Sequence, residues 1–530
     1  MPIKYLFIIV AGLFLTLSAV GQPKPLKNDG KIEVVFLQLN DVYEISSLDH
    51  GKIGGMARVA TVRKELIKNN PRTYTILAGD FLSPSAMGTI VLDTPARKKI
   101  AGLQMVEVMN AAGINLVTFG NHEFDIKPAE LSASINQSSF DWISSNVKYN
   151  DSTGVIRFSK ETNNQKVPIP VTKIISFKDG DGTQIKIGLF GLTIATTGNK
   201  RMEAYEDYYI AASNAIKELK GKSDFIVAVT HLSLSMDKIL AGKFPEIKLI
   251  TGGHEHVNSY DTVGNTIIAK ADANAKSAYI HSLFYNTRLK KLSIKSRLLV
   301  INNAIEDDSA TRQIVDKWNS TAQTLLVNQG FKPCDILDSL TETLDGREAS
   351  IRTGPTNLGV FIGESMSEAL VNKTNCSLFN SGSVRIDDVL TGYVTQYDIF
   401  RVLPFEGKIV IKELQGFIID SLLKSNPKRI YDGSFLQYSG IKKEDTVFSI
   451  GDRNLYNDST WYKVAMNDYL ALGLQPGLNF IGTLKPAADV LPQLSIPKND
   501  IRMAMIAKFK SKRPASFKGW PINNAIIPCY

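Results

Sequence analysis

The sequence predicts an α/β domain followed by a smaller α+β domain. Three observations carry that expectation. From Lys31 onward, short apolar runs alternate with segments whose apolar residues recur at helical spacing. Five of the runs end on a Gly or polar step carrying Asp, Asn or His. Past residue 304 the alternation gives way to a charged helical stretch and then to mixed short elements. At 530 residues the chain is also too long for one ordinary domain.

Taken in order, residues 34–39 read as a buried strand ending at Asn40-Asp41, and residues 55–68 as a helix. Residues 74–78 form the next strand, ending at Gly79-Asp80, before a helix over 95–112. The strand 114–119 ends at Gly120-Asn121-His122-Glu123. After a longer insertion come strands 184–192, 225–230 (ending at His231) and 247–251 (ending at Gly252-Gly253-His254). Segments 266–270, 278–284 and 291–299 are expected to close a mixed sheet. The first domain therefore spans 31–304, residues 305–330 form a linking helix, and the second domain spans 331–512. That domain opens on a polar stretch at 344–347, followed by a helix near 358–371 and strands near 377–379, 408–411 and 462–466.

The ends of the chain read differently. Lys4, an apolar run over 5–20 and the small-residue exit Ala19-Val20-Gly21 have the layout of a secretory signal peptide, residues 1–21. No later run is long and apolar enough to cross a bilayer. The expected location is therefore outside the cytoplasm, periplasmic or secreted. Three cysteines exclude a disulfide scaffold. Cys376, in an apolar run, reads as a buried thiol, and Cys334 and Cys529 are a candidate pair that would tie down the tail, residues 513–530. The net charge of +9 includes a basic cluster from Lys508 to Lys518, which reads either as a solvated surface or as positive charge that would steer anionic substrates. Without a nucleic-acid motif or an aromatic-interleaved basic stripe, the chain does not read as a polymer binder.

The chemistry lies at the strand ends. In open α/β sheets ligands bind outside the carboxyl ends of the strands, so this order gathers Asp41, Asp80, Asn121, His231 and His254 at one rim. The chain has six histidines, and His122, His231, His254 and His256 all fall at such ends. Carboxylates, imidazoles and an amide carbonyl suit divalent ions such as Zn, Mn, Mg or Fe. A lone Gly-Asp is usually a turn, and a lone strand-end His is usually structural. The ordered series after successive strands argues for metal ligands instead. Two ions about 3.5–4 Å apart need a bridging carboxylate, and Asp80 stands in the middle of the series.

With these motifs together, the sequence resembles the calcineurin-like metallophosphoesterases of the 5'-nucleotidase family. The matching segments are Asn40-Asp41, Gly79-Asp80, Gly120-Asn121-His122-Glu123 with Asp125, Thr230-His231 and Gly253-His254-Glu255-His256. The resemblance implies a four-layer αββα sandwich followed by an α+β substrate domain. It implies two divalent ions (Zn, Mn, Mg, Fe or Co). Asp80 would bridge them, Asn121, His231 and His254 would complete one site, and Asp41 and His256 would belong to the other. His122, supported by Asp125, would stabilise charge at the phosphoryl group or help the leaving oxygen depart. In the second domain, Asn380-Ser381-Gly382-Ser383-Val384-Arg385 and Pro404-Phe405 resemble the family's substrate segments. Arg347 and Arg352 resemble its phosphate-holding arginines, and Phe405 and Tyr469 its base-stacking aromatics.

Two departures stand out. The family's first motif usually reads Asp-x-His, and here it reads Asp41-Val42-Tyr43. Either Tyr43 ligates as a phenolate, which favours an oxidised or strongly Lewis-acidic ion, or it stays out of the coordination and water or substrate fills the place. The neighbouring Glu44 is a weaker substitute. After Tyr469 the family commonly carries Gly-Gly-Asp for the ribose, where Gly473-Leu474-Gln475 stands. The expected activity is removal of phosphate from nucleotides. The alternatives are cyclic nucleotides, nucleotide sugars or general phosphomonoesters as substrates, or a non-catalytic nucleotide-binding member.

Overall fold

The computed structural model describes residues 28–84, 86–87, 102–151, 154–195, 203–371, 373–484 and 494–512. The expected signal segment, the start of the helix near residue 95, Cys529 and the tail lie outside them. Two six-stranded sheets build the first domain. The first runs in the order Lys291–Val300, Ser277–Asn286, Lys31–Leu39, Thr73–Leu77, Leu116–Thr118, Asp141–Ile143. The second runs Thr172–Lys178, Gln184–Thr193, Phe225–His231, Ile247–Gly252, Thr266–Lys270, Ser259–Val263. The site-bearing strands are parallel within each sheet, so their carboxyl ends share one rim.

Strand periodicity decides which residue faces which layer, because successive side chains point to opposite faces. Val34 and Phe36 pack between the sheets with Ile187, Leu189 and Val227. Val35, Leu37 and Leu39 face outward against the helices Met56–Asn69, Leu103–Ala112 and Ser309–Asn328. Beyond the second sheet, Tyr208–Leu219 and Leu234–Lys243 cover Phe190, Ala228 and Ile250. The result is the expected four-layer αββα sandwich. Full burial of a side chain such as Phe36 contributes about 1.5–3 kcal/mol.

The segments expected to close one mixed sheet divide between two. Thr266–Lys270 pairs in parallel with Ile247–Gly252 in the second sheet. Ser277–Asn286 pairs antiparallel with Lys31–Leu39 in the first. Apolar alternation specifies a strand but not its non-local neighbour. For the same reason the stretch read as an insertion supplies an edge strand to each sheet, Asp141–Ile143 and Thr172–Lys178.

The second unit has a four-stranded sheet ordered Ile409–Gln415, Trp461–Asn467, Cys376–Asn380, Leu436–Ser439. Asn357–Glu368 and Ile501–Lys512 cover one face and Gly416–Lys424 the other. The polar stretch at 344–347 is not a free opening: it ends the strand Ile336–Asp345, which pairs with Val389–Thr395 across register shifts. Cys376 is a free, buried thiol and Cys334 is disulfide-bonded. No helix among the described residues is long and apolar enough to cross a membrane.

Candidate active site

Three of the expected ligands sit on backbone that side chains seldom adopt: Asp41 at φ 53°, Asp80 at 56° and His254 at 84°. Such positions cost of order 1–3 kcal/mol each and persist only where surroundings hold them. Here the holding bonds are explicit. Asp41 N–H donates to Gly79 O (3.0 Å), and His254 N–H donates to Asp41 Oδ2 (2.9 Å). The Gly79 and Gly120 loops meet backbone to backbone. A Cβ on Gly120 would lie 2.0 Å from Asp80 Oδ1, and one on Gly79 would lie 2.5 Å from Gly120 N.

On this frame the donor atoms of Asp41, Asp80 and His231 fall within 4.8 Å of one another. His231 Nδ1–H donates to Ala78 O at 2.7 Å, which turns Nε2 toward Asp80 Oδ2 at 3.0 Å. Asn121 Oδ1 is buried without a hydrogen-bond partner among the described residues. Buried polar atoms are seldom left unpaired, and an orphaned carbonyl lining the same cleft as Asp80 fits a cation. The His254 ring lies 5.4 Å from that of His231. The Tyr43 hydroxyl lies 3.0 Å from Asp80 Oδ2, 3.3 Å from Asp41 Oδ1 and 3.1 Å from His256 Nε2. This set suits divalent ions.

The electrostatics agree. Burial by itself would raise Asp80, yet His231 and His122 hold it below its ordinary value. Burial opposes a proton on His231, but Asp80 and Asp41 raise it to about 9. That attraction is one a metal ion would take over by displacing the proton. Burial and the neighbouring His231 push His254 down to about 3, leaving a neutral imidazole.

Beside the cluster, His122 Nδ1 meets Asp125 Oδ2 at 2.8 Å, and His122 N–H donates to Asp80 Oδ1 at 2.8 Å. Burial would lower His122, but Asp125 and then Asp80 raise it. A carboxylate thus orients the imidazole and favours its charged form.

Three supporting residues had no role in the sequence reading. Glu123, fully buried, accepts from the backbone N–H groups of Asp80, Phe81, Leu82 and Gly120 at 2.6–3.2 Å. Burial and then Asp80 push it up to about 7, with those donors opposing. Lys270, also fully buried, donates to Leu232 O and Gly253 O, lies 2.9 Å from Asp237 Oδ2 and pairs with Glu255. It anchors the loop that carries His254 and His256. Its position at a strand end is visible in the sequence, but its burial and partners are not. Asp387, from the second unit, pairs with His256 Nδ1. No local pattern marks it.

Glu44 is buried and accepts from Tyr397 Oη of the second unit at 3.0 Å, so it is engaged away from the cluster. Burial pushes its carboxyl from 4.5 up to about 7, with Arg401 and Tyr397 opposing. The folded chain then keeps a proton that the unfolded chain releases near 4.5. The stabilisation is complete below that value and is lost as pH rises to about 7, on the order of 3 kcal/mol. Denaturant midpoints between pH 4.5 and 7.5 should fall in the wild type and fall less steeply in Glu44→Gln, where Glu123 alone keeps its share of the slope. Parallel profiles would refute the assignment.

A cleft of about 1410 Å³ joins this rim to the second unit. Asp80, Asn121, His122, Asp125, His254 and His256 line one wall, and Arg347, Arg352, Asn380, Arg385, Phe405 and Tyr469 line the other. The arginines differ. Arg347 is exposed and its fork is taken by Asp345 at 2.9 and 2.7 Å. Arg352 pairs with Glu348, yet its Nε and that of Arg385 are buried without a hydrogen-bond partner among the described residues. Arg385 stands 5.8 Å over the Phe405 ring. Asn380 is committed, accepting from Asn467 (2.8 Å) and Ser383 (2.9 Å). Phe405 and Tyr469 remain 44% and 40% exposed, which is open aromatic surface facing a polar cleft.

Comparison with known proteins decides the family. Residues 34–258 match the calcineurin-like phosphoesterase model, and residues 338–477 match the 5'-nucleotidase C-terminal domain. The chain belongs to the 5'-nucleotidase family of calcineurin-like phosphoesterases. Family membership places it among the phosphoric ester hydrolases. It is 26% identical over 503 residues to the trifunctional nucleotide phosphoesterase YfkN of Bacillus subtilis, covering 86% of this chain and 32% of that one. The chain thus spans about a third of that relative's length. It is 23% identical over 488 residues to human 5'-nucleotidase, covering 81% and 78% of the two chains. In fold it is similar to the 5'-nucleotidase precursor of Thermus thermophilus, with a TM-score of 0.68 at 19% identity, over 91% and 96% of the two chains.

Proposed function

We propose that this 5'-nucleotidase family member is an exported hydrolase that removes phosphate from nucleotides, working between the sandwich (31–304) and the second domain (331–512). The observation that carries this reading is the shared cleft: the Asp/Asn/His rim on one wall, and buried arginine donors with two open aromatics on the other. Export rests on the signal-like residues 1–21.

Two divalent ions held by Asp41, Asp80, Asn121, His231, His254 and His256 would supply the Lewis acidity that activates the attacking water and offsets phosphoryl charge. The protein's own groups do the remaining work. Arg352 and Arg385 offer guanidinium donors to the phosphate oxygens and orient the ester. Phe405 and Tyr469 offer faces to a planar base. His122, with Asp125 behind Nδ1, has Nε2 available to stabilise the developing charge or to protonate the leaving oxygen. The departure at Gly473-Leu474-Gln475 leaves ribose recognition to other groups, and Gln475 itself lines the cleft.

Release of phosphate from nucleoside monophosphates by protein loaded with Mn, Zn or Co tests the reading. No release from any nucleotide with any of these ions would refute it. Turnover of cyclic nucleotides, nucleotide sugars or simple phosphomonoesters alone would move the substrate class. For the pocket, Phe405→Ala should raise KM for nucleotides about tenfold, the equivalent of about 1.4 kcal/mol of stacking, while sparing a small aryl phosphate. Equal loss on both substrates would argue against base stacking.

A further inference from the structure

Asn467 ends the strand Trp461–Asn467 and lines the cleft. The residue is 4% exposed, and its neighbours fix its amide. Nδ2–H donates to Asn380 Oδ1 at 2.8 Å and to Ser383 Oγ at 3.1 Å. Ser383 Oγ–H donates to the same Asn380 oxygen at 2.9 Å. Both protons of the Asn467 amide are therefore committed, and its oxygen is turned away from the pair. That oxygen is buried without a hydrogen-bond partner among the described residues. Buried acceptors are seldom left so, because nothing then compensates their desolvation. Since Asn467 lines the cleft, a bound molecule can bring the missing donor.

The surroundings show which part of a nucleotide would bring it. Asn467 stands opposite Ile409 in the antiparallel pairing of its strand with Ile409–Gln415. One residue on, Asp468 N–H donates to Lys408 O at 2.9 Å. The strand end Asn467-Asp468 is thus bonded to the segment that follows Phe405, and Tyr469 comes directly after it. A planar base held against these two open aromatics turns its edge, not its face, toward the backbone that joins them. Asp468 lines the cleft as well, with one carboxylate oxygen accepting from Tyr469 N–H at 3.0 Å. The edge of the base therefore meets acceptors: an amide oxygen and a carboxylate.

We propose that Asn467 sets base specificity, its Oδ1 accepting a hydrogen bond from the exocyclic amino group of adenine or cytosine. An amino group supplies the proton that the buried oxygen lacks. A carbonyl in the same place sets lone pairs against Asn467 Oδ1 and the Asp468 carboxylate, so hypoxanthine and uracil are disfavoured. Stacking on Phe405 and Tyr469 makes no such distinction, because every base has a π-face. A site built to hydrogen-bond a substrate N–H rejects the analogue without it more sharply than an apolar pocket rejects a missing methylene. The inference rests on the nucleotide reading of the cleft and deepens it by naming the favoured bases. It involves neither the metal cluster nor the arginines that face the phosphate.

The test uses the full chain loaded with Mn, Zn or Co and two pairs of substrates that exchange the amino group for a carbonyl. The wild-type kcat/KM should be higher for AMP than for IMP, and for CMP than for UMP, by about tenfold or more. Calorimetry on the same samples should show the same order in binding. In Asn467→Ala both ratios should collapse, through a rise in KM for AMP and CMP. Thermal unfolding and metal content check that this variant folds and loads, and the wild-type comparison decides without it. Equal kcat/KM within each pair in the wild type would overturn the inference and leave the nucleotide reading intact. A preference that survived in folded Asn467→Ala would overturn it as well. So would a loss on the deoxyribose analogue of AMP with none on IMP, which would put the oxygen at the sugar. If no nucleotide released phosphate while AMP still bound more tightly than IMP, the hydrolase reading would fail and the base contact would stand.

Discussion

Asp80→Asn is expected to reduce metal-dependent phosphate release by at least about a thousandfold, with loss of bound metal. The carboxylate lies 3.0 Å from His231 Nε2 and 3.0 Å from the Tyr43 hydroxyl, so both halves of the cluster meet at it. An amide keeps the shape and can still accept from His122 N–H through its carbonyl oxygen. The metal-free variant should nevertheless lose some stability, because the charge that His231 and His122 hold in its ionised form, and that in turn raises His231, is gone. Thermal unfolding of both proteins after chelation would check stability, and phosphate release after reloading would check function. Wild-type activity in this variant would end the bridging assignment.

Lys270→Met is expected to be the most destabilising single change near the site. The ammonium is fully buried, as is Asp237 at 2.9 Å. Removing it strands Asp237, unpairs Glu255 and frees the carbonyls of Leu232 and Gly253. Breaking a buried pair from one side costs about 3–5 kcal/mol, or a fall in Tm on the order of 10 °C. Burial already raises Asp237, with Lys270 opposing, so the stranded carboxylate would take up a proton. Adding Asp237→Asn to the variant should recover part of the loss, since the orphaned charge goes with it. A single variant that melts with the wild type would show that Lys270 does not hold the loop. A double variant as unstable as the single one would place the cost in the freed carbonyls.

The two changes probe different kinds of legibility. Asp80 was readable because its chemistry is local: a Gly-Asp step ends an apolar strand, within a series of like steps. Asn121, His231 and His254 were readable for the same reason, and all come to the same cleft rim or to its buried floor. Lys270 ends a strand too, but a lysine there looks like a solvated terminus until its neighbours are known. Glu123 lay inside the most specific motif, yet its task is to gather four backbone donors from two loops that only the fold brings together. The sheet assignments failed on the same ground. Residues 266–270 and 278–284 alternate alike, and their separation into different sheets depends on partners far away in sequence.

The arginines mark a finer limit. Resemblance to the family's substrate segments selected Arg347, Arg352 and Arg385 together, but hydrogen bonding ranks them. Arg347 is committed to Asp345, whereas Arg352 and Arg385 each keep a buried, unshared Nε.

By itself the sequence determined the α/β layering, the strand ends that carry ligands and the replacement of an expected histidine by Tyr43. The first two follow from side-chain periodicity and residue type, and the third from the resemblance to the family's first motif. Only the tertiary structure decided where the Tyr43 oxygen falls, that Asp387 of the second unit backs His256, and that Lys270 ties down the His254 loop. Each of those is a contact between residues far apart in sequence. A one-dimensional pattern has no term for such a contact until packing fixes which strand lies beside which.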